Sequence, residues 1–227
     1  MIKIMILICQ VSINGLSIVF HPFAGFMKFR YVCCMEKIAL FASGNGTNAQ
    51  RIMEYFSNHP VVSVGRILTN NPGANVIRRA GAFNVPVTVF NRTQFMESTD
   101  ILKVLIDDGI GFIVLAGFLW MIPGYLLKAY PGRIINIHPA LLPKYGGKGM
   151  FGMAVHKAVL AANEPRSGIS IHFVNDKYDD GAIIFQAECD ISPGETPESL
   201  AQKVHTLEYE YYPVVIEALA VEEEEED

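Results

Sequence analysis

"KIALFASGNGTN", residues 37–48, holds a strand, a glycine turn and the start of a helix in one short stretch. Its first half is apolar without alternation, as a strand covered on both faces requires. Gly44 ends the run, and its neighbour Gly46 lets the chain turn. Beyond the turn Ile52, Met53, Tyr55 and Phe56 recur at helical spacing, so a helix is expected over 48–59, with Asn48 as its cap. The same alternation continues outward. VVSVGRILTN, VPVTVF, GFIVLAG and RIINIH read as strands, and ANVIRRAGAF, residues 93–108 and PGYLLKAY as the helices between them. Strands separated by helices predict a parallel sheet with helices on both faces.

Toward the C-terminus the pattern changes. A helix is expected over 154–163, followed by two apolar runs, GISIHFVN and AIIFQAECDI, which the acidic turn DKYDDG separates. Two such runs joined by a turn predict an antiparallel pair. A long helix over 197–219 follows. The expected architecture is therefore α/β: one domain with a mostly parallel, twisted, Rossmann-like sheet, helices on both faces and an antiparallel addition.

With 227 residues, 51% of them apolar and 18% charged, the chain can bury a sizeable core. Its formal charge is −5 and it has no basic stripe, which argues against nucleic acid held through its phosphates. Cys9, Cys33, Cys34 and Cys189 have no C-x-x-C spacing, so they read as reduced thiols, with no disulfide framework and no metal site. Residues 1–34 differ in composition, with Lys3, Lys28 and Arg30 but no acid. Of the 18 basic residues 15 remain beyond them, against 23 acidic ones, a balance of −8. The apolar run in 1–34 is interrupted by Gln10, Ser12 and Asn14; it is short for a membrane span and lacks a small-residue cleavage site. The expected organisation is an extension over 1–34 outside the fold, upstream of a natural start at Met35. A domain over 35–220 and a solvated acidic tail over 221–227 complete it, in a cytoplasmic protein that does not engage membranes. The sequence is silent on oligomeric state.

Ligands of an open parallel sheet bind beyond the carboxyl ends of its strands, and three candidates lie there. SGNGTN, residues 43–48, puts glycines and a helix N-terminus together, which suits a phosphate but equally makes a plain turn and cap. Asn136 and His138 share one face at the end of a strand that Pro139 stops. An amide and an imidazole so placed can stabilise an oxyanion and move a proton. DKYDDG is either a solvated turn or the source of a carboxylate that orients a histidine. Of the other histidines, His172 reads as a satisfied core residue and His156 as exposed on its helix.

Taken together, FASGNGTNAQ, VLAGFLWMIP, GRIINIHPALLPKYGG, GISIHFVNDKYDDGAIIFQ and HTLEYEYYP resemble the glycinamide ribonucleotide formyltransferase family over residues 35–220. NIHPALLPKY with a downstream D-x-G is the most specific element. The resemblance implies formyl transfer from 10-formyltetrahydrofolate to the amine of 5'-phosphoribosylglycinamide, both small-molecule substrates, in purine biosynthesis and without a metal. It implies Asn136, His138 and Asp179 as catalytic, with Asp179 keeping the imidazole charged. It implies Gly46, Thr47 and Asn48 on the substrate phosphate side and Glu208 near the amine. For the folate it implies Arg92 near the glutamate tail, Leu119, Trp120, Met121 and Ile122 along the pterin slot, and Asn136 and Asp176 beside it. The segment after Lys144 would cover the site. Two departures stand out: GGKGMFGMAVH is longer than the compact PG-x-H-x-H of many members, and Asp180 stands where they have glycine.

Other readings make different demands. A formyltetrahydrofolate deformylase is expected to read NIHHSFLP and to carry an amino-acid-sensing domain ahead of the catalytic one. A methionyl-tRNA formyltransferase is expected to carry an RNA-binding barrel where this chain turns acidic. A nucleotide-binding module without catalysis leaves Asn136, His138 and Asp179 unexplained.

Overall fold

The computed structural model describes residues 9–13, 16–20, 30–32 and 35–221. Strands β1 (Cys9–Ile13), β2 (Leu16–Phe20) and β3 (Arg30–Val32) pair antiparallel in a sheet of their own. They are not hydrogen-bonded into the main sheet. Most of the expected acidic tail, 222–227, lies outside the described residues.

The main sheet has seven strands: β4 (Glu36–Phe41), β5 (Val62–Thr69), β6 (Val87–Val89), β7 (Ile110–Leu115), β8 (Ile134–His138), β9 (Arg166–Phe173) and β10 (Ile183–Asp190). Their order is β10-β9-β8-β7-β4-β5-β6. β4 runs parallel to β5 and β7, β5 to β6, and β7 to β8. β9 is antiparallel to both β8 and β10. The expected α/β class and the antiparallel pair are both present, and the β8–β9 reversal adds to them.

Among the described residues seven helices accompany the sheet: α1 (Thr47–Phe56), α2 (Asn75–Ala82), α3 (Arg92–Met96), α4 (Asp100–Asp107), α5 (Gly124–Ala129), α6 (Met153–Ala161) and α7 (Pro197–Val221). The unbroken apolar run of β4 is explained by what lies on each side of it. Ile38 and Leu40 pack with Ile52 of α1, Val76 of α2, Val155 of α6 and Leu200 of α7. Ala39 and Phe41 face the other way, onto Phe95 of α3, Leu105 of α4 and Leu126 of α5. Each fully buried Leu, Ile or Phe contributes about 1.5–3 kcal/mol by leaving water, so both layers are needed to hold the sheet. Tyr212 of α7 is buried, and its hydroxyl donates to the Leu115 carbonyl at 3.0 Å, which ties the last helix to the C-terminal end of β7.

Two local expectations fail for identifiable reasons. The single helix expected over 93–108 is two helices. The Asn91 side chain accepts from the Gln94 N–H while Gln94 reaches back to the Asn91 N–H, each at 2.9 Å, a capping box that starts α3. Ser98 then bonds back to the Gln94 carbonyl and accepts from the Asp100 N–H, which closes one helix and opens the next. Asn48 is not the cap of α1. That position is Gly46, whose φ of 71° is left-handed, and a Cβ there would meet Val76 Cγ2 at 2.5 Å.

Candidate active site

From β4 the chain builds β5 and β6 to one side and then returns to add β7 and β8 on the other. That reversal opens a crevice beyond the ends of β4 and β7, where doubly wound sheets hold ligands. A cleft of about 840 Å³ lies there. Residues 44–48 after β4, 116–119 after β7 and 136–139 at the end of β8 line it, with the 147–153 loop and the α7 residues His205, Glu208 and Tyr209.

Asn136, His138 and Asp179 meet in this cleft. Antiparallel pairing sets His172 of β9 directly across from Asn136. The Asn136 amide nitrogen is 3.1 Å from His172 Nε2 and 3.5 Å from Asp179 Oδ1. His172 Nδ1 lies 2.8 Å from the Phe173 carbonyl. A carbonyl can only accept, so Nδ1 carries the proton and Nε2 accepts from the amide. One amide hydrogen of Asn136 is thus well bound, and the other makes only a long contact, free to turn toward a ligand oxygen.

His138 is 3% exposed. Its Nε2 donates to the Tyr145 carbonyl at 2.8 Å, and its Nδ1 faces Asp179 Oδ2 at 3.5 Å. Burial pushes the imidazole below its ordinary pKa, against the opposing pull of Asp179 and the Tyr145 carbonyl. The expectation that Asp179 keeps the ring charged is therefore corrected: desolvation outweighs the carboxylate, and the free protein holds a neutral imidazole at pH 7. Asp179 is the converse case. Burial would raise its pKa, but the imidazoles of His172 and His138 beside it and the Gly147 N–H at 2.8 Å together lower it. The pair is a carboxylate facing a neutral ring nitrogen that gains a strong partner once it takes up a proton.

The turn carrying Asp179 depends on a close approach. Asp179 itself has a left-handed φ of 52°. Two residues on, a Cβ at Gly181 would lie 1.7 Å from the Phe173 carbonyl oxygen, the same oxygen that His172 uses. Asp180 points elsewhere, accepting from Asn175 at 3.2 Å and pairing with Lys177 at 3.6 Å. The extra charge at this position is spent on the surface.

At the other end of the cleft the Asn48 amide donates to Glu208 Oε2 at 2.9 Å, which is where the side chain expected to cap α1 has gone. Glu208 is 4% exposed, and the same oxygen accepts from His205 Nδ1 at 2.7 Å. Gly46 and Thr47 line the cleft beside them.

A model of the family described as formyl transferase matches residues 36–216. The chain belongs to the formyl transferase family. It is 40% identical over 193 residues to the chloroplastic phosphoribosylglycinamide formyltransferase of Arabidopsis thaliana, matching 82% of this chain and 66% of that longer protein, so it spans just under two thirds of it. The Bacillus subtilis phosphoribosylglycinamide formyltransferase is 36% identical over 190 residues, 82% of this chain and 95% of that one. The crystal structure of glycinamide ribonucleotide transformylase 1 from Geobacillus kaustophilus superposes with a TM-score of 0.74 at 36% identity, covering 82% of this chain and 99% of that one.

The residues that the resemblance puts on the folate side are placed less uniformly in this formyl transferase chain. Leu119 lines the cleft, and its N–H donates to Ser43 Oγ at 3.1 Å. Trp120 turns away into an aromatic group with Phe90, Phe95 and Phe118, and Ile122 is buried in the core on that side. Met121 is exposed. Arg92 stacks its guanidinium 5.7 Å over the Trp120 ring, and Asp176 is exposed on its turn. None of these last five lines the cleft. Two site histidines escaped the sequence reading. His156 is 2% exposed, not exposed as expected, because α6 turns it inward to the cleft beside α7. His172 is buried as expected of a core residue, yet its partners are Asn136 and Asp179. Only the strand register could reveal that.

Proposed function

We propose that this chain transfers the formyl group of 10-formyltetrahydrofolate to the amine of 5'-phosphoribosylglycinamide, a step of purine (IMP) biosynthesis. The observation that carries the reading is the meeting of Asn136, His138 and Asp179 in the same cleft as Glu208 and the glycine turn at the start of α1. A cleft of about 840 Å³ is of a size to hold two small molecules side by side. The donor's ring system fits beside the half-exposed Leu119, backed by the Phe118 and Trp120 aromatic group.

The residues divide the work. Attack by the amine puts negative charge on the formyl oxygen. The weakly held amide hydrogen of Asn136 turns to that oxygen at little cost. The attacking amine must lose a proton, and His138 Nδ1 takes it, becoming an imidazolium stabilised by Asp179 Oδ2. As the intermediate collapses, the bond from the formyl carbon to the folate nitrogen breaks, the proton passes to that departing nitrogen, and tetrahydrofolate leaves with His138 neutral again. A neutral imidazole at rest suits this role. Asp179 is kept charged by its partners and kept in place by the Gly147 N–H. Glu208 accepts from the acceptor near its amine, and the α1 turn receives the phosphate. The 147–153 loop supplies the wall that keeps water from the formyl group.

Following consumption of the donor with and without the phosphorylated acceptor tests the reading. Consumption that requires the acceptor is expected; equal consumption without it is the behaviour of a deformylase and refutes transfer.

Two further results are expected of the same assay. Gly181→Ala forces the Phe173 carbonyl and the Asp179 turn apart, and displacement of a catalytic group by an ångström lowers kcat/KM by about 10²-fold. Steady-state rates on the folded fraction check it, and a normal rate removes the turn from the mechanism. A chain beginning at Met35 is expected to fold and turn over as the full chain does, because the catalytic unit we assign is 35–220, with 1–34 and 221–227 outside it. Insolubility or inactivity of the shortened chain alone refutes that boundary. Among the described residues no helix is long and apolar enough to cross a membrane. The acidic balance and the free thiol of Cys189 favour the cytoplasm as the compartment.

A further inference from the structure

His138 can act as a base at Nδ1 only while its single proton sits on Nε2. A neutral imidazole carries one N–H, and two acceptors compete for it here. The Tyr145 carbonyl lies 2.8 Å from Nε2, and Asp179 Oδ2 lies 3.5 Å from Nδ1. A carboxylate is the stronger acceptor of the two. Its separation is beyond ordinary hydrogen-bond length, however, and the same oxygen already accepts from the Gly147 N–H at 2.8 Å. The proton therefore stays on Nε2 for as long as the Tyr145 carbonyl keeps its place. Were that carbonyl to withdraw, the proton would move to Nδ1 to face Asp179. The lone pair would then be on Nε2, and the atom that must take up the amine's proton would be filled. A base held in the wrong tautomer is a severe catalytic defect.

The placement of that carbonyl depends on an unusual backbone. Tyr145 has a left-handed φ of 58°. Among the described residues the other non-glycine positions with positive φ are Asn84, Asn163 and Asp179, side chains that tolerate this region. A tyrosine adopts it only where its surroundings compel it. The surroundings here do so from both sides. The Tyr145 hydroxyl donates to Glu164 Oε1 at 2.8 Å, and the Lys144 ammonium reaches the same oxygen at 2.9 Å. The Tyr145 side chain also packs at the edge of the core. Gly146 follows in a tight fit, since a Cβ there would meet Leu142 Cδ2 at 2.5 Å and Asp179 Cβ at 3.1 Å.

Glu164 lies between α6 and β9, so this tie runs to the scaffold rather than to the 147–153 loop. The hydrogen bonds from Lys144 and Tyr145 keep its carboxyl below the ordinary pKa. It is therefore ionised throughout the neutral range, and the tie persists there.

We propose that Tyr145, pinned through its hydroxyl by Glu164, is a positioning residue that selects the reactive tautomer of His138. This rests on the formyl-transfer reading above. The side chain does the holding and the carbonyl does the selecting. The two ends of one residue thus link a surface carboxylate to the base in the cleft.

Nitrogen NMR of the full-length protein with labelled histidine tests this, without substrates and at a pH where His138 is neutral. Loss of its signals in His138→Ala identifies them. Wild type is expected to show a protonated Nε2 and a bare Nδ1. Tyr145→Phe keeps the ring and removes the hydroxyl, and Glu164→Ala removes the acceptor. Both are expected to move the proton toward Nδ1. Both should also lower kcat by about tenfold, the scale of one hydrogen bond to a charged group, with KM for the acceptor unmoved. Melting temperatures show that the variants are folded. Lys144→Met removes the other partner of Glu164 but leaves the tyrosine tie, so its tautomer and kcat should match wild type. An unaltered tautomer in both Tyr145→Phe and Glu164→Ala overturns the proposal. So does a loss of kcat without a change of tautomer, or an equal change in Lys144→Met. The tautomer is read without substrates, so a wild type that fails to transfer formyl refutes the functional reading separately, in the donor-consumption assay.

Discussion

The expected result of replacing His138 by alanine is a fall in kcat of about 10²–10⁴-fold, the loss typical of a group that moves a proton at the reacting centre. Binding of the phosphorylated acceptor should change little, because we assign its phosphate to the start of α1, away from the end of β8. The substitution also strands the Tyr145 carbonyl, whose partner is His138 Nε2, and an unpaired buried acceptor costs about 1–3 kcal/mol. Melting temperature must therefore be measured beside the rate. A purely structural histidine would give the opposite division, with lost stability and weakened binding but a near-normal single-turnover rate per folded molecule.

Asp179→Asn should be nearly as damaging at neutral pH, by about 10²-fold or more in kcat, and its pH dependence identifies the cause. The carboxylate raises the His138 pKa against burial. Removing it lowers that pKa further, so the imidazolium formed during transfer is less stable and the rate falls. As pH falls, wild type, whose His138 has the higher pKa, protonates its base first and loses rate first, so the gap between variant and wild type should narrow. Stability responds with a definite sign as well. Asp179 has a depressed folded pKa, so its contribution is full above the ordinary carboxylate pKa and vanishes as pH falls through the folded value. His138, also depressed, binds fewer protons folded than unfolded, so stability falls as pH drops below about 6.5. Wild type should lose stability in both windows. Asp179→Asn should lose the more acidic one, as denaturant midpoints across pH would reveal; an unaltered acid limb would remove Asp179 from it.

What the sequence could disclose follows from how local each cause is. The run from Ile38 to Phe41 is apolar at every position because alternate side chains enter two different cores, so the layered fold is written in adjacent residues. Asn136 and His138 share a face by strand geometry alone, and that too was legible. Glu208, and the choice of Asp179 within DKYDDG, came from resemblance, since nothing local says that α7 and the 175–181 turn reach the same cleft. What stayed hidden depends on register and on side-chain choice. His172 joins the site because β9 runs antiparallel to β8 with His172 opposite Asn136. His156 is buried because α6 packs beside α7, whereas its helix taken alone suggested exposure. Asn48 has the residue type of a cap, but a distant carboxylate competes for its amide and wins. The break between α3 and α4 was readable in principle, since Asn91 and Gln94 have capping-box spacing, but the apolar periodicity across 93–108 masked it.

A single turnover with donor labelled in the formyl carbon tests the central claim most directly. Enzyme in excess of both substrates is quenched at short times, and the label is located by mass and by carbon resonance. The account predicts that the label moves from the donor to the amine nitrogen of 5'-phosphoribosylglycinamide, one for one, in wild type. It predicts a far slower appearance of the same product in His138→Ala. Label recovered as free formate in proportion to donor consumed, or the same single-turnover rate in both proteins, would contradict it.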